Sequence, residues 1–121
     1  MSREIKFRVW KPEVKSLMEL EDQFVSEALH YSKDGNHKIM QYTGLKDKNG
    51  KEIYEGDILR VSSENTLLNW EVIYVGDYAT FSLFRGKDYQ FCMGIEHINH
   101  GMSGTEVIGN IYENKELLED K

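Results

Sequence analysis

Met40-Gln41-Tyr42-Thr43-Gly44-Leu45-Lys46-Asp47-Lys48-Asn49-Gly50-Lys51-Glu52-Ile53-Tyr54-Glu55-Gly56-Asp57-Ile58-Leu59-Arg60-Val61 reads as strand, tight turn, strand, turn, strand. Asn49-Gly50 predicts a two-residue type I′ turn, because that turn needs positive φ at both central positions and Asn and Gly tolerate it. Asp47, two residues earlier, is placed to bond back to the backbone and tighten the bend. Gly56-Asp57 marks a second turn, after which Ile58, Leu59 and Val61 supply the branched apolar side chains of a buried strand. Strands so closely punctuated make a nucleus of local contacts on which a β-rich domain is assembled.

Outward from this nucleus, Arg3 to Trp10 alternates, with Ile5, Phe7 and Val9 on one face and Glu4, Lys6, Arg8 and Trp10 on the other, as in a half-buried strand. From Val14 to Leu29 two readings compete: Val14, Leu17, Met18, Val25 and Ala28 fit a helical stripe, while Ser16 to Leu20 suits a strand paired with the first. Ser32 to Asn36 is a turn cluster, and His37 to Tyr42 re-enters a strand. Ser62 to Thr66 is expected to be a polar surface loop. Asn69 to Val75 and Tyr78 to Phe84 are expected to form a hairpin joined at Gly76-Asp77, followed by a strand at Tyr89 to Met93. The glycine-containing stretch from Gly94 to Gly104 has little periodicity and is expected to be a loop. Thr105 to Tyr112 closes the domain, with Gly109 marking a bulge or a close backbone approach. Asn114 is placed to cap a short helix whose Glu116 lies in its first turn and whose Leu117 and Leu118 dock on the body.

The segment Gln41 to Ile58, together with Arg3-Glu4-Ile5-Lys6-Phe7-Arg8-Val9-Trp10 and Val107-Ile108-Gly109-Asn110-Ile111-Tyr112-Glu113-Asn114, resembles the YopX family of phage and prophage proteins. The three segments occur in the family's order and span the chain. Lys11-Pro12-Glu13 and Lys115 depart from residues common in the family at those turns. The resemblance implies a mainly β fold, a small SH3-like β-barrel with an N-terminal hairpin extension and a short C-terminal helix, and it favours the hairpin through Leu20 over the helical stripe. It implies no catalytic residue.

With 121 residues, 40% hydrophobic and 12% aromatic, residues 1–121 are expected to form a single globular domain. Twenty-one acidic against 15 basic residues give a net charge of -6. That balance disfavours unaided binding to a phosphate backbone, which relies on Lys and Arg displacing counterions. The single Cys92 forms no internal disulfide, and neither a signal-peptide pattern near Met1 nor a transmembrane-length apolar run is present, so a cytoplasmic setting is expected.

Cys92, His97 and His100 offer a metal or Cys-His nucleophile reading. A structural zinc, however, wants four well-spaced ligands, and a nucleophile needs a base and an orienting group that spacing alone does not supply. Glu52, Glu55 and Asp57 form an acidic cluster, with Asp57 read as a solvated turn carboxylate. No catalytic residue, metal site or cofactor is expected. The aromatics Tyr42, Tyr54, Trp70, Tyr74, Tyr78, Phe81, Phe84, Tyr89, Phe91 and Tyr112 are expected to be divided between core and surface. Tyr54, Glu55, Asp57 and Trp70 are the candidates for an exposed acidic-aromatic face that contacts a phage or bacterial-host protein, with self-association as a further expectation. The alternative is a single-strand nucleic-acid accessory protein using Lys6, Arg8, Lys46, Lys48 and Lys51. An enzyme would draw on Cys92, His97 or Glu55.

Overall fold

Two antiparallel sheets account for the described chain. The structure, a computed structural model, describes residues 6–20, 36–63, 66–75, 80–85, 89–94 and 105–118. The strands are β1 (Phe7–Lys11), β2 (Ser16–Leu20), β3 (Lys38–Lys46), β4 (Glu52–Tyr54), β5 (Asp57–Ser63), β6 (Thr66–Val75), β7 (Thr80–Arg85), β8 (Tyr89–Gly94) and β9 (Thr105–Asn110), followed by a 3-10 turn at Lys115–Leu118. The first sheet has the order β2-β1-β3-β4 and the second β8-β7-β6-β5-β9. The mainly β expectation holds, with the barrel realised as a curled half-barrel sheet.

Residues 16–20 resolve the helix-or-hairpin choice in favour of the hairpin, since Phe7 pairs with Leu20 and Lys11 with Ser16. The alternation of β1 does not mark a solvent face, because Arg8 and Trp10 on one side and Val9 on the other are all buried. This strand lies between β2 and β3 and is covered from both sides. Ser62, Ser63 and Thr66, expected in a loop, lie in strands, with Ser63 opposite Thr66. The stretch 95–104, and with it His97 and His100, lies outside the described residues.

The Asn49-Gly50 turn exists but is not type I′. Among the described residues Lys15 alone combines a side chain with positive φ, so Asn49 does not, whereas Gly50 sits at φ 84°. Gly50 N–H donates to Asp47 C=O at 3.0 Å and Asp47 N–H to Lys51 C=O at 2.8 Å. This is a three-residue loop, a reverse turn followed by a left-handed glycine. The longer loop leaves Asp47 at its base, where its carboxylate serves several backbone donors.

The core sits between the sheets and is built from Ile53, Leu59, Trp70, Val72, Phe81 and Leu83, with Leu45, Val61, Leu68 and Val107 packed against it. Leu68, Trp70 and Val72 point inward from β6 by strand alternation, while Leu67, the residue before them, is 60% exposed. The turn joining β4 to β5 hinges the sheets together: Gly56 N–H donates to Val72 C=O at 2.9 Å, and Ile111 N–H donates to Gly56 C=O at 2.8 Å.

Gly109 meets the expectation of a bulge, but what approaches it closely is the Asn114 side chain and not another backbone. The β5–β9 register steps from Ile58 opposite Gly109 to Leu59 opposite Val107, which is a bulge. A Cβ on Gly109 would lie 2.5 Å from Asn114 Oδ1 and 2.9 Å from Asn114 Cβ. Asn114 is so close because its Oδ1 accepts Asn110 N–H at 3.2 Å, which corrects the expectation that this side chain caps the terminal helix. The 3-10 turn is tied on instead by Asn69 Nδ2–H donating to Leu117 C=O at 2.8 Å. Gly109→Ala is therefore expected to cost about 1–3 kcal/mol, and Asn114→Gly in the same chain should recover part of that loss. Chemical denaturation of both variants checks it, and an unchanged midpoint in Gly109→Ala would show that the bulge yields freely.

Candidate functional site

The middle of the first sheet carries a buried charge. Asp57 opens β5 directly after the turn, and its Oδ2 accepts Tyr54 N–H at 2.8 Å, closing that turn. Its Oδ1 accepts Arg8 Nη2–H at 2.6 Å, with the two side chains only 2% and 8% exposed. The same Nη2 lies 3.4 Å from Glu55 C=O and 3.6 Å from Met40 Sδ. Burial holds the Asp57 carboxyl above its usual range, although Arg8 and Tyr54 N–H pull it down. The reading of Asp57 as a solvated carboxylate is corrected.

Arg8 also lies over the Tyr54 ring, its guanidinium carbon 4.6 Å from the ring centre. Tyr42 stands 5.5 Å from Tyr54, centre to centre, and Lys6 lies over Tyr42 while pairing with Glu52 at 2.5 Å. Cation and aromatic contacts thus run across the face from Lys6 to Asp57. Burial pushes the Tyr54 hydroxyl up to about 12, with Glu19 and Glu52 adding to the shift. Glu55, half-buried, accepts Gln41 N–H through Oε1 at 2.8 Å. Both carboxylates accept hydrogen bonds from the protein, Glu55 from Gln41 N–H and Asp57 from Arg8 and Tyr54 N–H.

A second constellation binds the β3–β4 loop to β9. Asp47 Oδ1 accepts Asn49 N–H at 2.8 Å and Lys51 N–H at 2.9 Å, and Oδ2 accepts Val107 N–H at 2.9 Å. Burial would raise this carboxyl, but the backbone donors of Val107, Lys51 and Asn49 outweigh it and hold the group below its usual value.

Two concavities open beside these groups. One is a groove of about 550 Å³ lined by Trp10, Pro12, Lys15, Tyr112 and Glu113. Its wall is the stack of Trp10 on Tyr112, ring centres 5.6 Å apart and planes 13° from parallel. The stack joins the N-terminal hairpin to the segment after β9. The other is a cleft of about 240 Å³ lined by Arg8, Leu17, Glu19, Lys51, Glu52 and Tyr54.

The family model for YopX protein matches residues 19–119, a span that holds the Asp47 and Asp57 turns. The chain belongs to the YopX family. Among solved structures it is similar to protein EF1440 from Enterococcus faecalis, with 31% identity, 98% of this chain and 100% of that one covered, and a TM-score of 0.64. It also shares the fold of yopX from Bacillus subtilis, at 22% identity over 94% of this chain and 98% of that one, with a TM-score of 0.56. No curated protein matches the chain. Arg8, which neutralises Asp57, lies outside the span matched by the YopX model.

Within this YopX fold the four candidates for an exposed face do not form one. Tyr54 and Trp70 are 3% and 7% exposed, and Asp57 is 1% exposed. Tyr54 and Asp57 meet through Arg8, while Trp70 belongs to the core between the sheets. Each aromatic lies on a strand whose face is covered by the other sheet or by a neighbouring side chain, a fact local patterning does not carry. Of the basic positions named for nucleic acid, Arg8 and Lys6 are paired with Asp57 and Glu52, and Lys48 Nζ is 3.9 Å from Glu106. The side chain of Cys92 lies outside the described residues. Among those residues no group of three or more His, Cys, Asp or Glu side chains could hold a metal ion. No helix among them is long and apolar enough to cross a membrane.

The residues that sequence reading passed over are Arg8 as an ion-pair partner and the Trp10–Tyr112 groove. For Arg8 a signal existed: one cation in the run Phe7-Arg8-Val9-Trp10, where a charge on a covered strand requires a partner. For the groove none existed, since its two rings are a hundred residues apart in the chain.

Proposed function

We propose that this chain is a non-enzymatic protein-interaction module of phage or prophage origin, docking a phage or bacterial-host protein in the groove of Trp10 and Tyr112. The observation that carries the reading is the stacked aromatic wall of an open groove with Lys15 and Glu113 among its lining residues. Trp10 is only 8% exposed and backs the wall, so the half-buried Tyr112 ring supplies the aromatic contact, and a mixed-charge lining sets orientation. By contrast, the carboxylates that could have served acid-base chemistry accept hydrogen bonds that hold the fold: Asp57 from Arg8 and Tyr54, Asp47 from three backbone amides, Glu55 from Gln41. The YopX resemblance supports the phage origin.

The test is affinity capture of the tagged chain from bacterial lysate with and without nuclease, read by mass spectrometry, beside Lys15→Glu and Tyr112→Ala variants whose folding is checked by circular dichroism. A specific partner is expected to survive nuclease and to lose about tenfold or more in affinity in Tyr112→Ala, as truncation of a central aromatic does. Equal capture by both variants would remove the groove from consideration. Capture that vanishes with nuclease would move the single-strand nucleic-acid reading ahead.

A further inference from the structure

The tip of the β3–β4 loop sets an exposed asparagine before a glycine. Among the asparagines of the chain Asn49 alone has glycine as its successor. Lys48, Asn49 and Gly50 are all exposed, and nothing lies within 4 Å of where a Cβ on Gly50 would stand. The Asn49 side-chain amide has no hydrogen-bond partner among the described residues. Its Cγ is therefore held by no competing contact. The backbone nitrogen that follows it belongs to the one residue type with no side chain to shield it.

What the fold controls is that nitrogen. Gly50 N–H donates to Asp47 C=O at 3.0 Å, while Asn49 N–H and Lys51 N–H donate to Asp47 Oδ1 at 2.8 and 2.9 Å. These bonds aim the Gly50 nitrogen across the loop toward Asp47 and keep its proton in place. An amide nitrogen attacks a carbonyl carbon only after that proton has left, and closing a ring onto Cγ also requires the nitrogen to turn away from Asp47. Both steps need the loop to open.

We propose that Asn49 is a site of spontaneous deamidation gated by the Asp47 loop. In the open loop Gly50 N loses its proton to hydroxide and attacks Asn49 Cγ. The new N–C bond closes a succinimide ring, and the bond from Cγ to the side-chain nitrogen breaks as ammonia leaves. Water then adds to either ring carbonyl, giving an aspartyl or an isoaspartyl residue at position 49. One water is consumed and one ammonia released, with no oxidant or cofactor. The isoaspartyl product runs the main chain through the former side chain, one carbon longer, so Gly50 and Lys51 no longer reach Asp47 together. Asp47 Oδ2 also accepts Val107 N–H at 2.9 Å, and Lys48 N–H donates to Thr105 C=O at 3.0 Å, so this product loosens the loop from β9. The site is separate from the Trp10–Tyr112 groove and does not depend on it.

The experiment incubates the full chain at mildly alkaline pH, folded and in denaturing urea, and follows position 49 by peptide mass spectrometry, with chromatography separating the isoaspartyl form. Hydrogen exchange at Gly50 N–H is measured on the same folded chain, because exchange and deamidation begin with loss of the same proton. Deamidation of the folded chain is expected to be about tenfold or more slower than in urea, since opening gives up the three loop hydrogen bonds. The slowing should agree with the Gly50 protection factor to within about tenfold. Asn49→Gln, at an exposed side chain, should keep the fold and abolish the mass change, because the larger ring it would need closes far more slowly. The purified isoaspartyl form should exchange the Lys48 and Val107 amides faster than the parent. The proposal is overturned if the folded chain deamidates as fast as the denatured one, or if the slowing and the protection factor part by more than about tenfold. It is equally overturned if the mass change persists in Asn49→Gln, or if the isoaspartyl form protects Val107 as well as the parent does.

Discussion

Asp57→Ala is expected to lower the free energy of unfolding by about 3–5 kcal/mol, the range for removing one partner of a buried ion pair. Two groups lose their partner at once. Arg8 would keep its charge beneath a sheet with no counter-ion, its remaining acceptors being Glu55 C=O at 3.4 Å and Met40 Sδ at 3.6 Å. Tyr54 N–H would lose the acceptor that closes the β4–β5 turn. Because domains of this size are stable by roughly 5–15 kcal/mol in total, the variant should sit near the edge of folding. Arg8→Met combined with Asp57→Leu removes both charges and should recover the part of the loss that comes from the unpaired guanidinium, while Tyr54 N–H stays without its acceptor. Urea titrations of the single and double variants check this. A loss under about 1 kcal/mol for Asp57→Ala would mean that water reaches the pair in solution.

Asp47→Ala should cost about 2–4 kcal/mol, because three backbone N–H groups lose an ionised acceptor together. Two belong to the loop and the third, on Val107, ties that loop to β9, so the barrel's closing strand should loosen with it. The pH dependence has a definite sign. Asp47 is held below its unfolded value of 3.8, so its contribution is fully present above that value and is lost as pH falls through the lower folded one. Asp57 acts in the opposite sense: its folded value is raised, so the folded chain takes up that proton first, and its charged form weakens stability as pH rises through the window above 3.8. The difference between the parent chain and Asp47→Asn isolates the first effect. The parent's acid limb should fall more steeply below pH 3.8, and parallel limbs would show that the backbone donors do not depress this carboxyl.

Much of the architecture was legible in the residues. The strands at Lys38–Lys46, Glu52–Tyr54 and Thr105–Asn110, and that of Asp57–Ser63 as far as Val61, follow from β-branched and aromatic runs bounded by Asp, Asn and Gly. The bulge at Gly109 was visible as a glycine in a strand, and the Phe7–Leu20 pairing came from the family resemblance where periodicity was ambiguous. The candidate site was far less legible. Sequence alone reads Tyr54 and Trp70 as surface because each adjoins a Glu, and Asp57 as solvated because it follows Gly56 at a turn, but a flanking residue reports only the opposite face of a strand and a turn residue can still point inward. The loop at Asn49-Gly50 shows the same limit at short range, where a carboxylate shared with Val107 accompanies a three-residue loop instead of the tighter turn.

By itself the sequence determined what is local: where strands begin and end, which glycines stand at turns, and to which family the chain belongs. Strand propensity, turn chemistry and family motifs are properties of neighbouring residues and need no distant partner. Only the tertiary structure decided which faces are covered and which charges meet. Arg8 and Asp57 are 49 positions apart, and Asp47 and Val107 are 60 apart. A carboxylate on a strand looks the same in sequence whether water or a guanidinium satisfies it. The choice is made when the second sheet closes over the first and water is excluded, leaving a buried charge that must find its partner in the protein.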